Sequence, residues 1–217
     1  MGEIYFVRHG QASFGAADYD RLSPLGHRQA EWLGRRLAGL AGGFERIVSG
    51  TLRRHRETLA GIGRHLGHDA AAEDARLNEM SFFDTDRAYC AQHALEPPRG
   101  PEQMAAHFRL VMAAWERGEI DAAPERFDAF RARILAALAD HAAEGRRVLV
   151  VSSGGPLGIL VGQVLRLDMA AMTEVILSTY NASYSRFAVR GQELRLLQFN
   201  VTDHLESAGG AAALTWL

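Results

Sequence analysis

Residues 4–10 read Ile4-Tyr5-Phe6-Val7-Arg8-His9-Gly10. Four apolar residues stop abruptly at a cation, an imidazole and a glycine, the pattern of a short buried strand opening into a loop. The pattern returns late in the chain, where Val148-Leu149-Val150-Val151 runs into Ser152-Ser153-Gly154-Gly155-Pro156. Arg46-Ile47-Val48-Ser49 is a third short strand, and residues 183–201 form a hairpin with a turn near Gly191. Helical spacings lie between. Ser23 as N-cap and Pro24 at the first position open a helix carrying Ala30, Leu33, Leu37 and Leu40, stopped at Gly42-Gly43. Residues 53–66 place Leu59, Ile62 and Leu66 on one face, with Gly67 just beyond. Met104, Phe108, Val111 and Trp115 make one later stripe, and Phe127, Phe130, Ile134 and Leu138 another. The stretch 78–101 has no such period and is expected to be irregular; the low-complexity tail 209–213 is expected to fray. Strands alternating with helices predict an α/β three-layer sandwich, a mainly parallel central sheet flanked by helices, with ligands beyond the carboxyl ends of the strands.

The chain has 217 residues, 24 basic and 26 acidic, and a formal net charge of −2. Every basic residue is arginine. The absence of lysine excludes a P-loop lysine, a Schiff-base lysine and a lysine general base. Anions must then be held by the flat, bidentate guanidinium fork. A near-zero charge balance argues against a nucleic-acid partner, since such proteins carry a basic excess. Cys90 is the one cysteine, so no intramolecular disulfide forms, which fits a reducing compartment. The N-terminal stretch lacks the basic and apolar regions of a secretory signal, and no apolar run approaches the ~20 residues that span a bilayer. A cytoplasmic location and no membrane partner are the expectation.

The chemistry concentrates at the two strand ends. A histidine just past a strand can attack phosphorus if one ring nitrogen is unprotonated and the other is held as a donor. Neighbouring arginine lowers its pKa and clamps phosphate oxygens. A lone Arg-His pair is more often ordinary loop chemistry. Here Ser49-Gly50-Thr51-Leu52-Arg53-Arg54-His55-Arg56-Glu57-Thr58 follows another strand and brings a second guanidinium, Leu77-Asn78-Glu79 brings a carboxyl group, and the Ser-Ser-Gly-Gly turn brings hydroxyls and a helix N-terminus. The other candidates have bland readings. His65 and His68 are solvated helix-end residues rather than metal ligands, and no metal site is expected. His27 and His141 are surface or boundary residues, His55 packs or faces water, and Cys90 is incidental.

These residues, in this order, resemble the histidine phosphatase superfamily, the phosphoglycerate mutase-like fold. Arg8-His9-Gly10 matches its signature after the first strand. Leu22 to Ala30 matches its Leu-Thr/Ser-x-x-Gly-x-x-Gln-Ala stretch. Ser49 to Thr58 resembles its Ser-x-x-Leu-x-Arg-Ala-x-Gln-Thr segment. Leu77-Asn78-Glu79 matches Leu-x-Glu, and Asn181-Ala182-Ser183 and His204-Leu205 resemble its late elements. The resemblance implies one domain over 1–217 with a cap-like insertion at about 80–101, whose Phe82, Phe83 and Tyr89 suggest an apolar wall. It implies a metal-independent phosphatase without cofactor, acting on a small phosphorylated molecule. His9 is then the nucleophile, Arg8 and Arg54 the phosphate clamps and Glu79 the proton donor, with Gln11, Ser13, Ser153 and Gly154 lining the substrate site.

Two departures stand out. Ser153 occupies the position of the family's second histidine, and Gly15 that of a phosphate-binding asparagine, with Ser13 a substitute donor. Losing one preorganised donor costs ~10²–10³ in rate. A slow or specialised enzyme, or a catalytically weakened phosphoryl-binding or regulatory protein, are the alternatives, and a histidine restored at 153 is expected to raise the rate. A mutase is the weaker reading, because Met80-Ser81-Phe82-Phe83 follows Glu79. Oligomeric state is open, a dimer among the alternatives, and His204 either supports the site or faces it.

Overall fold

The computed structural model describes residues 2–13, 18–67, 71–96, 98, 100–142, 145–191 and 193–216. Gly15 and His68 lie outside them. Six strands form one sheet: β1 (Gly2–Arg8), β2 (Arg46–Ser49), β3 (Ala72–Glu73), β4 (Arg147–Ser152), β5 (Tyr184–Arg190) and β6 (Glu193–Val201), in the order β3-β2-β4-β1-β5-β6. Pairings from β3 through β1 are parallel, and the β5–β6 hairpin adds to β1 antiparallel, so the sheet is mixed. β1 and β4 lie at its centre with helices on both faces, which is why both read as unbroken apolar runs.

Successive β1 side chains serve opposite layers. Ile4 and Phe6 pack with α4 (Pro101–Glu116), α5 (Phe127–His141), α6 (Gly154–Leu165) and α7 (Met169–Ser178). Tyr5 and Val7 pack with α1 (Pro24–Ala38), α2 (Arg53–Leu66) and a residue of α8 (Asp203–Gly209). The N-cap of α1 is Ser23, whose side chain accepts from the Gly26 N–H, and its end comes at Gly39, ahead of the Gly42-Gly43 stop signal. α2 ends at Gly67 in the left-handed region, φ 64°. The stripes on α4 and α5 are core: Val111, Trp115, Phe130, Ile134 and Leu138 are buried.

Two expectations are corrected and one unread element appears. The stretch 78–101 contains a regular helix, α3 (Phe82–His93). It buries only Thr85 and Cys90, so a narrow stripe in a polar sequence gave little period to detect. α7 had no sequence reading at all, although Asp168 caps it by accepting from the Ala171 N–H at 2.8 Å. The tail is pinned rather than frayed. Residues 210–213 form a 3₁₀ turn with Ala213 buried, Gln29 donates to the Ala213 carbonyl, and Thr215 donates to Asn181. Backbone hydrogen bonds held by buried side chains outweigh a composition that favours disorder. Among the described residues no helix is long and apolar enough to cross a membrane.

Candidate active site

The parallel strands deliver their carboxyl ends to one edge. β1 ends at Arg8, and His9 follows at once, its N–H donating to the Ser152 carbonyl at 2.8 Å. The His9 carbonyl accepts from the Ala182 N–H at 3.0 Å, and Asn181 adds a side-chain donor at 3.4 Å. The next N–H, of Gly10, donates to Thr58 Oγ1, which itself donates to the Arg54 carbonyl. His9 is thus fixed to β4, to the β5 approach and to α2 together.

His9 is 4% exposed, and its Nδ1 lies 2.7 Å from the Gly10 carbonyl oxygen. That contact requires Nδ1 to carry the proton and leaves Nε2 as the lone-pair nitrogen. Burial pushes the imidazole pKa well below its ordinary value, and the positive charges of Arg54 and Arg8 push the same way. The resting ring is neutral.

Arg54 is buried on the first turn of α2. Its guanidinium donates to Asp20 at 2.6 Å and lies over the Tyr19 ring, while its Nε has no partner. Arg8 donates to the Thr179 carbonyl and, at 2.7 Å, to the Trp216 carbonyl; its Nε is also buried without a partner. Burial lowers the Arg8 pKa, partly offset by Tyr19 and Glu79. Two buried guanidinium Nε–H groups without an acceptor among the described residues, both acting electrostatically on a neutral imidazole, suit the binding of an anion. Gly154 opens α6 beside this guanidinium, and a Cβ there would stand in ordinary contact with Arg8 Nε at 3.8 Å.

Glu79 is held by backbone alone: its carboxylate accepts from the Gly155 N–H at 2.9 Å and the Met80 N–H at 3.0 Å. A Cβ at 155 would strike that carboxylate where it now sits, so the glycine leaves it room. The loop beneath is braced by Ser152, which donates to the Leu77 carbonyl, and by Arg133, which donates to the Arg76 and Asn78 carbonyls.

The remaining sequence candidates divide. The Gln11 side chain turns to the α1 cap, accepting from the Ser23 hydroxyl at 2.7 Å. Ser13 donates its N–H to the Arg21 carbonyl and, among the described residues, forms no bond with His9, Arg8 or Arg54. Of the expected apolar wall only Phe83 approaches the site, edge-on to Tyr19 at 5.1 Å; Phe82 packs on Phe108 and Tyr89 on His107. His204 donates toward the Ala182 carbonyl, under the bond that holds His9, and so supports the site from behind. His141 is buried beside Asp74 rather than at the surface. Two surface clefts, about 340 Å³ between α4 and α7 and about 480 Å³ beside β2 and α2, contain none of His9, Arg8, Arg54 or Glu79.

His55 is the residue that sequence reasoning missed. It is fully buried, its Nε2 lies 2.7 Å from Ser153 Oγ, and its ring centroid is 5.8 Å from that of His9. Burial, then Arg54, pushes its pKa well below the ordinary value. Gly50 makes the space, since a Cβ there would strike His55 Nδ1. That glycine was the available signal: the run Arg53-Arg54-His55-Arg56 looks solvated until its neighbour is seen to have no side chain.

A family model for the histidine phosphatase superfamily (branch 1) matches residues 4–202. The serine/threonine-protein phosphatase PGAM5, mitochondrial, of Xenopus laevis is 42% identical over 127 residues, 57% of this chain. The match spans only 40% of that relative's length. A probable phosphoglycerate mutase, GpmB, of Citrobacter koseri is 30% identical over 197 residues, covering 86% of this chain and 84% of its own. The phosphoserine phosphatase of Entamoeba histolytica, solved with phosphoserine, has the same fold, with a TM-score of 0.67 at 18% identity over 94% of this chain and 100% of that one. The chain belongs to the histidine phosphatase superfamily.

Proposed function

We propose that this superfamily member is a metal-independent phosphatase that hydrolyses a small phosphomonoester through a phosphohistidine on His9. The observation that carries the reading is the state of His9: buried, neutral, its Nδ1 tied to a backbone carbonyl, its Nε2 left with the lone pair, and its nearby arginines each keeping an Nε–H unpartnered among the described residues. In the first step the Nε2 lone pair forms a bond to phosphorus as the ester P–O bond breaks. Arg8 and Arg54 neutralise the equatorial oxygens, and Asp20 yields its place on Arg54 to the substrate. Glu79 acts as the general acid, giving a proton to the leaving oxygen. In the second, the Glu79 carboxylate takes a proton from water, the hydroxide attacks phosphorus, the N–P bond breaks and phosphate departs.

His55 answers the departure at Ser153. The family segment has alanine after the phosphate arginine and histidine in the later turn; this chain has His55 and Ser153. The imidazole reaches the site from α2 instead of from the turn. Its Nδ1 faces Gly50 without a partner, and an orphaned lone pair costs less than an orphaned N–H, so Nε2 carries the proton and donates to Ser153 Oγ. The Ser153 hydroxyl hydrogen is then free for a phosphoryl oxygen, polarised by the imidazole behind it.

By the same reading residues 80–101 belong to a cap. Phe83 would meet the organic part of the substrate beside Tyr19. The test is turnover of an aryl phosphate and of a panel of sugar phosphates, nucleotides and phosphoserine peptides in EDTA, with labelled-phosphate trapping on His9. Turnover with a trapped adduct is expected. Phosphate-dependent thermal stabilisation without an adduct would identify a binding protein, and transfer between phosphoglycerate positions a mutase.

A further inference from the structure

Outside this site, one group of side chains converges without a role. Asp86 and Cys90 stand one turn apart on the same face of α3, and His107 meets them from α4. Cys90 Sγ lies 3.5 Å from His107 Nε2 and 3.7 Å from Asp86 Oδ1, and the His107 and Asp86 atoms are 2.5 Å apart. Cys90 and His107 are 8% and 9% exposed, and Asp86 forms the solvent edge at 19%. One thiol, one imidazole and one carboxylate thus aim their donor atoms at a common point.

From this convergence we infer a divalent transition-metal site of the zinc class on Asp86, Cys90 and His107, clasping α3 to α4. Around one tetrahedral ion with ordinary zinc bond lengths, a sulfur–nitrogen or sulfur–oxygen edge is about 3.5–3.6 Å and a nitrogen–oxygen edge about 3.3 Å. Both sulfur edges already have that length. The third is shorter because His107 and Asp86 share a hydrogen bond, and it opens by under ~1 Å of side-chain rotation. The i, i+4 placement on α3 puts two ligands on one face with no demand on the backbone. A thiolate, imidazole and carboxylate set selects zinc, cobalt or nickel over magnesium or calcium, which prefer all-oxygen shells. Water completes the fourth position on the exposed side of Asp86.

Binding must release the Cys90 thiol proton to solvent as the sulfur–metal bond forms, and His107 must carry its ring proton on Nδ1 so that the Nε2 lone pair meets the metal. Burial, and then Asp86 beside it, raise the Cys90 thiol pKa, and a bound cation would work against both. The reaction at His9 proceeds in EDTA on the reading above, so this site lies apart from the chemistry. Its effect is to fix the α3–α4 pair, where Phe82 packs on Phe108 and Tyr89 on His107.

The test is a Co²⁺ titration of the full chain, stripped with chelator beforehand. One equivalent is expected to bind, with tetrahedral visible bands and a thiolate-to-cobalt charge-transfer band that Zn²⁺ abolishes. Cys90 is the chain's only cysteine, so that band reports this site alone. Cys90→Ser should lose the band, His107→Gln should weaken binding at least ~tenfold, and His9→Ala should leave both unchanged. Circular dichroism confirms that the variants are folded, and Zn²⁺ should raise the wild-type Tm but not that of Cys90→Ser. No charge-transfer band in the wild-type chain, or equal affinity in Cys90→Ser, overturns the inference.

Discussion

Of the five buried imidazoles among the described residues, three sit in opposite company. His9 and His55 face Arg8 and Arg54; His107 faces Asp86 and Cys90. Burial is alike in both places, so the neighbours make the difference. Burial, then the arginines, holds the His9 and His55 rings neutral, which in the proposed reaction leaves lone pairs for phosphorus or for a hydroxyl relay. A carboxylate and a thiol instead make the third ring part of a cation's shell. The supports differ as well. The first site is held by strand ends, two helices and the tail, and the second by two consecutive helices alone.

The contrast is broken or sharpened by variants. His9→Ala should lower aryl phosphate turnover by on the order of 10⁴-fold or more and abolish the trapped adduct; a variant that retains the adduct would mean that another group is the nucleophile. Arg54→Ala should cost ~10²–10³ in kcat/KM and remove phosphate-dependent thermal stabilisation, because one guanidinium leaves the equatorial oxygens. His55→Ala should cost about 10–10²-fold. Ser153→His alone should not raise the rate, since His55 already fills that space, whereas His55→Ala with Ser153→His should recover most of the loss. A double variant no better than His55→Ala would show that His55 only packs.

The smallest effect is on stability against pH. Both site histidines have folded pKa values below that of the unfolded chain, so between the two values the unfolded chain binds more protons. Stability should therefore fall as pH drops below about 6.5, by up to about 1.4 kcal/mol per pH unit per histidine. In urea titrations across that range, His55→Gln should flatten the slope by one histidine's share. An unchanged slope would mean that His55 does not stay neutral in the folded chain.

What the sequence disclosed follows the same division. β1, β2 and β4 were legible because a strand buried on both faces must be apolar throughout, and polar residues follow β1 and β4 at once. Arg8 and His9 sit at such a break, whereas Arg54 lies on the first turn of α2 and Glu79 past the 3₁₀ turn at 75–77. His55 was not legible, because a histidine between arginines on a helix does not reveal whether its face meets water or a glycine. Asp86, Cys90 and His107 were hidden for another reason. Their helix carries too few buried residues to show a period, and a lone cysteine with a histidine 17 positions later has no recognised spacing. Gln11 and Ser13 marked the right loop, yet the Gln11 side chain and the Ser13 N–H serve the loop's own hydrogen bonds.

The bond between Arg8 and the Trp216 carbonyl joins positions 208 apart. At ~5–20 residues per second, a ribosome needs about 10–40 s to travel from one to the other. For all of that interval β1 and His9 can exist while the guanidinium beside them lacks one of the two carbonyls that aim it. The aimed clamp that the proposed reaction needs therefore forms only once residue 216 has been made, and a phosphorylated molecule meeting a chain short of it would find a histidine whose neighbouring guanidinium still swings.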